Sequence, residues 1–372
     1  MQFAKLYFAI VLFGVHWYRT AGEVSVNVYI DSYKKPFHLC VDTGSSFSWV
    51  IGKGVKIHKH IFDDNTWRLN VSTPLLNPSK GGANEFRFHK LSKKKLLPNM
   101  KLRKRYGDGT LIEGFYTRRR IRIQRARSSE GTTSVSRSHK LDKILVLGLV
   151  YQISEYWAPP FEETHCDGYL GLAPFNTMKW GDGALGLASE DNMYVLENAG
   201  VHIFRIGPKG FGILESDSGF DESSPGWIPI KSDGNKYWKI AVDNMSIAQS
   251  ELRNSQEVTA TISPISEVGA GNFIKVSSST VHFDSGAGGI FVPNTLAGAA
   301  NATWTMSFMC DGETYQLERL VFGHNLSVWN GGPNKTEVIV GLPFFEKYNV
   351  MFYVNTLTSV HKLRIGLDTI GS

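Results

Sequence analysis

The chain has 372 residues, of which 42% are hydrophobic and 20% are charged, and its formal net charge is +6. This length and composition are typical of a soluble globular protein with two domains or two lobes that share an interface. The three cysteines (Cys40, Cys166 and Cys310) are too few for a disulfide framework and leave at least one free thiol. No Cys/His spacing indicates zinc, so we expect no metal. Short apolar runs broken by Gly, Pro, Asn or Ser favour strands over long helices.

The first predicted feature is a possible signal peptide over residues 1–21. An apolar run, Leu6–Val15, has the length of a signal h-region, and Ala21 and Gly22 supply small residues near a possible cleavage point. A first strand of the mature fold is the competing interpretation. The run is too short to span a bilayer and no other segment is long enough, so we expect no stable membrane insertion.

Five Asn-x-Ser/Thr sequons are candidate glycosylation sites and support secretion. They begin at Asn70, Asn244, Asn301, Asn325 and Asn334. We therefore expect the protein to be secreted or held in an acidic vacuolar compartment.

Basic residues cluster between Lys93 and Arg127. A nucleic-acid interface would need interleaved aromatic residues or a reader motif, and this segment has neither. We therefore interpret the cluster as a solvated basic face or a surface loop, and expect no nucleic-acid partner.

The most informative pattern occurs twice. Residues 37–50 read FHLCVDTGSSFSWV and residues 281–292 read VHFDSGAGGIFV, so each copy has an apolar stretch, then Asp-Thr/Ser-Gly, then a second apolar stretch. Period-2 alternation predicts a strand before each Asp, and the small residues predict a tight turn after it. An apolar strand that ends on Gly follows each copy, within residues 167–172 and 338–342. The duplication predicts an all-β protein with a few short helices and two related lobes, with a site between them.

A third Asp-Ser-Gly, at residues 217–219, has no apolar strand on either side. An isolated tripeptide of this kind is ordinarily an Asx turn or a helix cap. Only the duplicated strand–turn–strand context indicates a site, so the candidate catalytic carboxylates are Asp42 and Asp284.

Two Asp side chains within hydrogen-bonding distance cannot both ionise at low pH, so the pair shares one proton. The ionised carboxylate can take a proton from a water held between the two, and the protonated carboxyl can give one to a scissile carbonyl oxygen. The turn residues suit this chemistry, because glycine allows a sharp turn and hydroxyls can link the two loops. The supporting residues are Thr43, Gly44, Ser285 and Gly286.

In these motifs and their order the sequence resembles the pepsin-like (A1) aspartic peptidases over nearly the whole chain. VDTGSSFSWV resembles the first active-site loop, HFDSGAGG the second, and VIVGLPFFEKYNVMFY the Gly-ended strand and short helix near the C-terminus. The resemblance implies that Asp42 and Asp284 are catalytic and that the Ser45 hydroxyl hydrogen-bonds the outer oxygen of Asp42. It also implies an N-terminal lobe over residues 22–205 and a C-terminal lobe over residues 206–372.

The segment YGDGT, at residues 106–110, is similar to the tip of the family's flap, a hairpin that closes over substrate. Tyr106 is then the flap tyrosine, which Trp49 contacts. Gly107 and Asp108 would offer backbone N–H groups to the substrate. The YGDGT form is more typical of fungal than of vertebrate members, and by itself it is only a hairpin turn signal.

The implied function is an aspartic-type endopeptidase that hydrolyses peptide bonds flanked by hydrophobic residues in proteins at acidic pH. It would use a catalytic water and no cofactor, take a polypeptide as its substrate, and act as a monomer. The alternative is a catalytically weak or inactive pepsin-fold protein that binds another protein or a glycan. Departures from the family pattern in the second loop and in the basic region motivate this alternative.

The second loop departs from the family at Ala287, where Ser or Thr usually stands three residues after the Asp. A missing hydrogen bond to an ionised carboxylate raises the apparent pKa of the pair, which predicts a less acidic optimum than that of pepsin. The family's usual disulfides are expected to be absent. Cys40 is interpreted as a small buried apolar residue, since period 2 puts it on the face that carries Asp42.

Overall fold

The computed structural model describes residues 24–32, 36–63, 66–74, 96–106, 110–123, 141–155, 166–174, 203–214, 226–230, 237–250, 273–274, 280–293, 303–321, 324–329, 337–354 and 361–367. Within these residues the regular structure is strands and one short helix, which confirms the predicted all-β class. The possible signal peptide, the third Asp-Ser-Gly, and Gly107 and Asp108 lie outside the described residues. In the part of the chain that is described, no helix is long and apolar enough to cross a membrane.

The strands described in the N-terminal half of the chain form one eight-stranded sheet. They are β1 (Ser25–Ile30), β2 (Phe37–Asp42), β3 (Trp49–Asp63), β4 (Thr66–Pro74), β5 (Leu96–Arg105), β6 (Leu111–Ile123), β7 (Leu141–Glu155) and β8 (Gly168–Gly171). The order is β1-β2-β8-β3-β7-β6-β5, with β4 paired to β3 and β1 also paired to β6.

The strands described in the C-terminal half form three smaller sheets. They are β9 (Ile203–Gly207), β10 (Gly210–Leu214), β11 (Ile228–Pro229), β12 (Lys239–Ala241), β13 (Asn244–Ser250), β14 (Phe273–Ile274), β15 (Thr280–Phe283), β16 (Ile290–Pro293), β17 (Thr303–Cys310), β18 (Glu313–Val321), β19 (Leu326–Trp329), β20 (Glu337–Val340), β21 (Tyr348–Val354) and β22 (His361–Leu367), with helix α1 (Leu342–Phe345) between β20 and β21. The sheet orders are β10-β9-β21-β22-β11, β12-β15-β20-β16-β19 and β14-β13-β17-β18.

One strand arrangement occurs in both halves. The Gly-ended strand β8 lies between β2 and β3, and β20 lies between β15 and β16. We call Asp42–Ser45 and Asp284–Ala287 the first and second acidic loops. In each half the inserted strand runs parallel to the strand that leads into the acidic loop, with Asp42 opposite Gly171 and Phe283 opposite Val340. Each acidic loop therefore crosses over the end of an inserted strand.

Glycine at the end of the inserted strand permits this crossing. A Cβ added to Gly171 would lie 2.5 Å from the backbone nitrogen of Phe47. A Cβ added to Gly341 would overlap the carbonyl oxygens of Ala287 and Gly289. Both glycines therefore allow a second stretch of backbone to approach closely.

The strands that lead into the two acidic loops, β2 and β15, contribute to one continuous hydrophobic cluster. It contains residues from both halves of the chain, including Val41, Leu170, Phe204 and Phe283. A second cluster includes Phe47, Trp49, Leu102 and Tyr116 and draws its residues from β3, the segment just before it, β5, β6 and β7. The first acidic loop passes between these clusters, because Val41 before it belongs to one and Phe47 after it to the other.

Cys40 is buried, as expected, but it is not a simple apolar side chain, because it forms a disulfide with Cys166. The two Cα atoms are 5.6 Å apart although the residues are 126 positions apart in sequence. They meet because β2 and β8 pair in parallel, with Cys40 on β2 and Cys166 just before β8. The free thiol that the odd count required is that of Cys310, which is buried.

Candidate active site

The two acidic loops are joined by reciprocal hydrogen bonds. The Thr43 hydroxyl accepts from the Ser285 N–H at 2.9 Å, and the Ser285 hydroxyl accepts from the Thr43 N–H at 3.1 Å. Each hydroxyl also donates to the opposite strand, that of Thr43 to the Phe283 carbonyl at 2.9 Å and that of Ser285 to the Val41 carbonyl at 2.7 Å. Both residues are buried, so these bonds fix the position of one loop relative to the other.

The carboxyl groups of Asp42 and Asp284 are brought together by this contact and are hydrogen-bonded to each other. The Gly44 N–H donates to Asp42 Oδ1 and the Gly286 N–H donates to Asp284 Oδ1, both at 2.9 Å. A Cβ on Gly286 would lie 2.6 Å from Asp42 Oδ1, and one on Gly44 would overlap the Asp284 carboxyl. Each glycine therefore leaves space for the carboxyl group of the opposite loop.

Desolvation raises the pKa of both carboxyl groups, but the other charges and hydrogen bonds that act on them differ. Desolvation and the charge of Asp42 raise the pKa of Asp284 to about 8, from an ordinary value of 3.8. Burial also raises the pKa of Asp42, but attraction to Lys104 and the Gly44 N–H oppose that increase. The pair therefore retains one proton over a wide pH range, with Asp42 as the more acidic member.

The contact expected between Trp49 and Tyr106 is present. The Trp49 indole N–H donates to the Tyr106 hydroxyl at 2.6 Å, and the Trp49 ring packs on Tyr169 with centroids 5.3 Å apart. The Tyr106 N–H donates to the Thr110 carbonyl at 2.8 Å. This bond joins the two ends of the YGDGT segment, which resembles a flap tip. Tyr106 therefore lies beside the first acidic loop, on the same small hydrophobic cluster as Trp49.

Ser45 contacts Asp42 through its backbone N–H. Its hydroxyl oxygen accepts from Lys104 Nζ at 2.5 Å and from the Phe47 N–H at 3.2 Å. The hydroxyl is thus directed toward Lys104, whereas the resemblance assigns it to the outer oxygen of Asp42.

Lys104 is a site residue that the sequence analysis missed. The run KLRKRY was interpreted as part of a solvated face, but β5 alternates, so that Leu102 is buried, Lys104 and Tyr106 are half-buried, and Arg103 is exposed. Counting back by two from the flap tyrosine would have placed Lys104 on the face of the strand that carries Tyr106.

The solvated-face interpretation is also wrong for Arg119 on β6. This side chain is buried, with 4% of its surface exposed, and its guanidinium pairs with Asp31 at 2.8 Å. The Arg120 N–H donates to the same carboxylate at 3.1 Å. The exposed basic residues on β5 are Lys101, Arg103 and Arg105.

A partly buried polar cluster lies on β12, β15 and β20, of which β15 leads into Asp284, and includes Tyr237 just before β12. Glu337 accepts from Lys239 at 2.7 Å and lies 3.2 Å from His282 Nδ1, while the Tyr237 ring packs 4.8 Å from the His282 ring. Burial lowers the pKa of His282, and hydrogen bonds from His282 and Lys239 hold the pKa of Glu337 low despite burial. Burial and the charges of Asp284, Glu337 and Asp42 raise the pKa of Tyr237. Tyr237 therefore remains a neutral hydroxyl, close enough to Asp42 and Asp284 for their charges to affect its pKa.

The sequons fall in different settings. Asn244 is exposed at the start of β13, whereas the Asn325 side chain accepts the Val321 N–H at 2.6 Å and stabilises a turn. Asn70 lies on β4, and Asn301 and Asn334 lie outside the described residues. No group of three or more His, Cys, Asp or Glu residues in the described ranges could hold a metal ion.

Comparison of the sequence with models of known protein families found no match, and neither did its comparison with curated proteins. The chemistry of the site is therefore inferred from its geometry. Two hydrogen-bonded carboxyl groups of unequal acidity can act together as a general base and a general acid.

Proposed function

We propose that the protein is an aspartic-type endopeptidase of pepsin-like bilobal fold, in which Asp42 and Asp284 activate water against a peptide carbonyl. The observation that carries this proposal is the pair itself, two carboxyl groups held together by loops that are joined through reciprocal hydrogen bonds. Burial and the charge of Asp42, which raise the pKa of Asp284, support the assignment of Asp284 as the acid. The arrangement of β2-β8-β3, repeated as β15-β20-β16, supports two related lobes, because each copy supplies one carboxyl group.

In the first step the Asp42 carboxylate takes a proton from water as the water oxygen bonds to the scissile carbonyl carbon. The Asp284 carboxyl gives its proton to the carbonyl oxygen, so the intermediate is a neutral gem-diol. The charge of the pair is unchanged at minus one, because the proton lost by Asp284 is matched by the one that Asp42 gains.

In the second step Asp42 donates its new proton to the amide nitrogen, and the C–N bond breaks. Asp284 takes back a proton from one hydroxyl of the gem-diol as the carboxylic acid forms. The products are a new acid and a new amine, and the pair returns to its starting state without a covalent intermediate.

The substrate is proposed to be an unfolded or extended polypeptide that binds across the pair, beside Tyr106. The Trp49–Tyr106 hydrogen bond would hold the tyrosine ring against the first loop and beside the substrate. Preference for hydrophobic flanking residues, monomeric action and a secreted or vacuolar location belong to the same proposal.

The test is proteolysis of a carboxymethylated, unfolded protein from about pH 3 to about pH 8, with and without pepstatin. We expect pepstatin-sensitive cleavage by the full chain and its loss in Asp42→Asn and in Asp284→Asn. Glu313→Gln, an exposed carboxylate on β18, is the matched control and should cleave at the wild-type rate.

Cleavage that survives both substitutions would refute the proposed mechanism. A folded protein that binds the unfolded substrate, with or without the substitutions, and never cleaves it would favour the alternative of a binding module. Circular dichroism and a cooperative unfolding transition establish that each variant is folded.

A further inference from the structure

Lys104 is held at the site from three sides. Its ammonium donates to the Ser45 hydroxyl at 2.5 Å, and lies 4.8 Å from the centre of the Tyr106 ring and 5.5 Å from that of Phe47. Cation–π contacts of this kind favour the charged ammonium where water is partly excluded. Lys104 therefore links β5, the strand that leads to Tyr106, to the loop that carries Asp42.

The ammonium also interacts electrostatically with both carboxyl groups of the pair. Burial lowers the pKa of Lys104, and attraction to Asp42 and then Asp284 opposes that decrease. A pair with one proton carries one negative charge, so a charged Lys104 makes the three groups neutral together. This balance makes it favourable to keep one carboxylate ionised in a desolvated site.

The other titratable groups that the structure describes around the pair do not supply this charge. Tyr237 faces it from the second half, and burial and nearby carboxylates raise the pKa of this phenol. Lys239, behind Tyr237, pairs with Glu337, which also contacts His282. Tyr116 packs edge-on against Phe47, and burial raises the pKa of its phenol above the ordinary range.

We propose that Lys104 is a positioning residue of this site, which holds the first loop through Ser45 and keeps Asp42 ionised at acidic pH by its charge. The inference rests on the proposed peptidase function and deepens it. Asp42 and Asp284 then differ because Lys104 lies beside the first loop, although the backbone hydrogen bonds of the two loops match.

The test compares pH profiles of kcat/KM for wild type, Lys104→Met, Lys104→Arg and Lys101→Met. In Lys104→Met the acid limb, which reports ionisation of Asp42, should move to higher pH by about one unit, the lower end of the effect of a nearby opposite charge. Activity on that limb then falls about tenfold at fixed pH. Lys104→Arg should keep the position of the limb, and Lys101→Met, an exposed lysine on the same strand, should match wild type.

A second measurement does not depend on turnover. A small epoxide esterifies ionised carboxylates, and peptide mass mapping reports the rate of modification at Asp42 as a function of pH. We expect the midpoint for Asp42 to rise in Lys104→Met and not in Lys101→Met, whether or not the protein cleaves peptides.

Two results would overturn the proposal. One is a Lys104→Met profile that is uniformly lower at every pH, which indicates structural support alone. The other is an unchanged midpoint for Asp42 in the labelling experiment. Absence of any proteolysis together with a shifted midpoint would reject the peptidase function while retaining the electrostatic role of Lys104.

Discussion

The first acidic loop, Asp42–Ser45, and the second, Asp284–Ala287, have matching backbones. In both, the N–H of the glycine two residues after the Asp donates to the carboxyl group at 2.9 Å. In both, the hydroxyl of the intervening residue donates to a carbonyl of the opposite strand and accepts an N–H from the opposite loop. The scaffold that holds the two carboxyl groups is therefore nearly symmetric.

The surroundings of the loops are not symmetric. A disulfide anchors the strand that leads into the first loop, and Lys104 reaches that loop through Ser45. The second loop has Ala287 where the first has Ser45, and Asp284 is less buried than Asp42. A symmetric scaffold with an asymmetric charge environment can give two identical side chains different roles, one as base and one as acid.

The largest effect should come from the disulfide beside the first loop. Cys40→Ala combined with Cys166→Ala should lower the free energy of unfolding by about 5 kcal/mol, because the closed loop exceeds a hundred residues. Cys310→Ala, which removes the buried free thiol, should cost on the order of 1 kcal/mol. Urea unfolding measures both values, and equal losses in the two variants would contradict the pairing.

That disulfide also shows where sequence reasoning stops. The strands before Asp42 and Asp284 could be predicted because alternation and turn chemistry are local properties of FHLCVD and VHFD. Pairing of Cys40 with Cys166 requires β2 and β8 to lie side by side, and nothing local specifies that parallel register.

Lys104 was missed for a different reason. Charge runs are usually solvated, and the local density of Lys and Arg outweighed the alternation that places Lys104 beside Tyr106. The duplicated loops and the all-β class were predictable, whereas the electrostatic difference between the loops depends on β5 reaching the first loop. That contact joins residues 59 positions apart.

The second prediction concerns pH and stability. The pKa of Asp284 is about 8 in the folded protein and near 3.8 when unfolded, so folding takes up a proton between these values. Stability contributed by this group is present below about pH 4 and is lost as the pH rises through about 8. Asp284→Asn should therefore stabilise the protein at pH 8 by on the order of a few kcal/mol, and change little at pH 4.

Asp42→Asn sharpens this comparison between the loops. The pKa of Asp42 is also raised, but Lys104 opposes the increase, so the gain in stability at pH 8 should be smaller than for Asp284→Asn. Thermal unfolding at the two pH values measures both gains. A larger gain for Asp42→Asn would reverse the assignment of base and acid.

The third prediction tests the space that each glycine leaves. Gly44→Ala and Gly286→Ala should each reduce kcat about 100-fold, because the added methyl displaces the carboxyl group of the opposite loop. Gly366→Ala, where the methyl meets no atom within 4 Å, is the matched control. Strongly unequal losses of kcat in Gly44→Ala and Gly286→Ala would show that the two loops are less symmetric than their matching hydrogen bonds indicate.

The fourth prediction concerns the hydroxyls that join the loops. Thr43→Val and Ser285→Ala should each cost about 1–3 kcal/mol of unfolding free energy, because each leaves a buried N–H of the other loop unpaired. The double variant should lose less than the sum, since both members serve one contact. Ser246→Ala, from a hydroxyl pair on β13 and β17, is the control. Additive losses at Thr43 and Ser285 would mean that the loops are not coupled through these side chains.

The smallest effect is expected at Ala287, whose N–H donates to the Asp284 carbonyl at 3.1 Å and whose side chain is half-buried. In Ala287→Ser, a hydroxyl that donates to ionised Asp284 would lower the pKa of Asp284 and move the alkaline limb of kcat/KM to lower pH. The shift should be at most about one unit, since a hydrogen bond to a charged group contributes roughly 1.5 kcal/mol.

Ala241→Ser, an exposed position on β12, should leave the profile in place. An unmoved alkaline limb in Ala287→Ser would mean that the missing hydroxyl does not set the acidity of the second loop. Desolvation and the charge of Asp42, the two largest causes of the raised pKa of Asp284, would then account for it. In that case the cation beside the first loop, and not the alanine in the second, would be what makes the two carboxyl groups unequal.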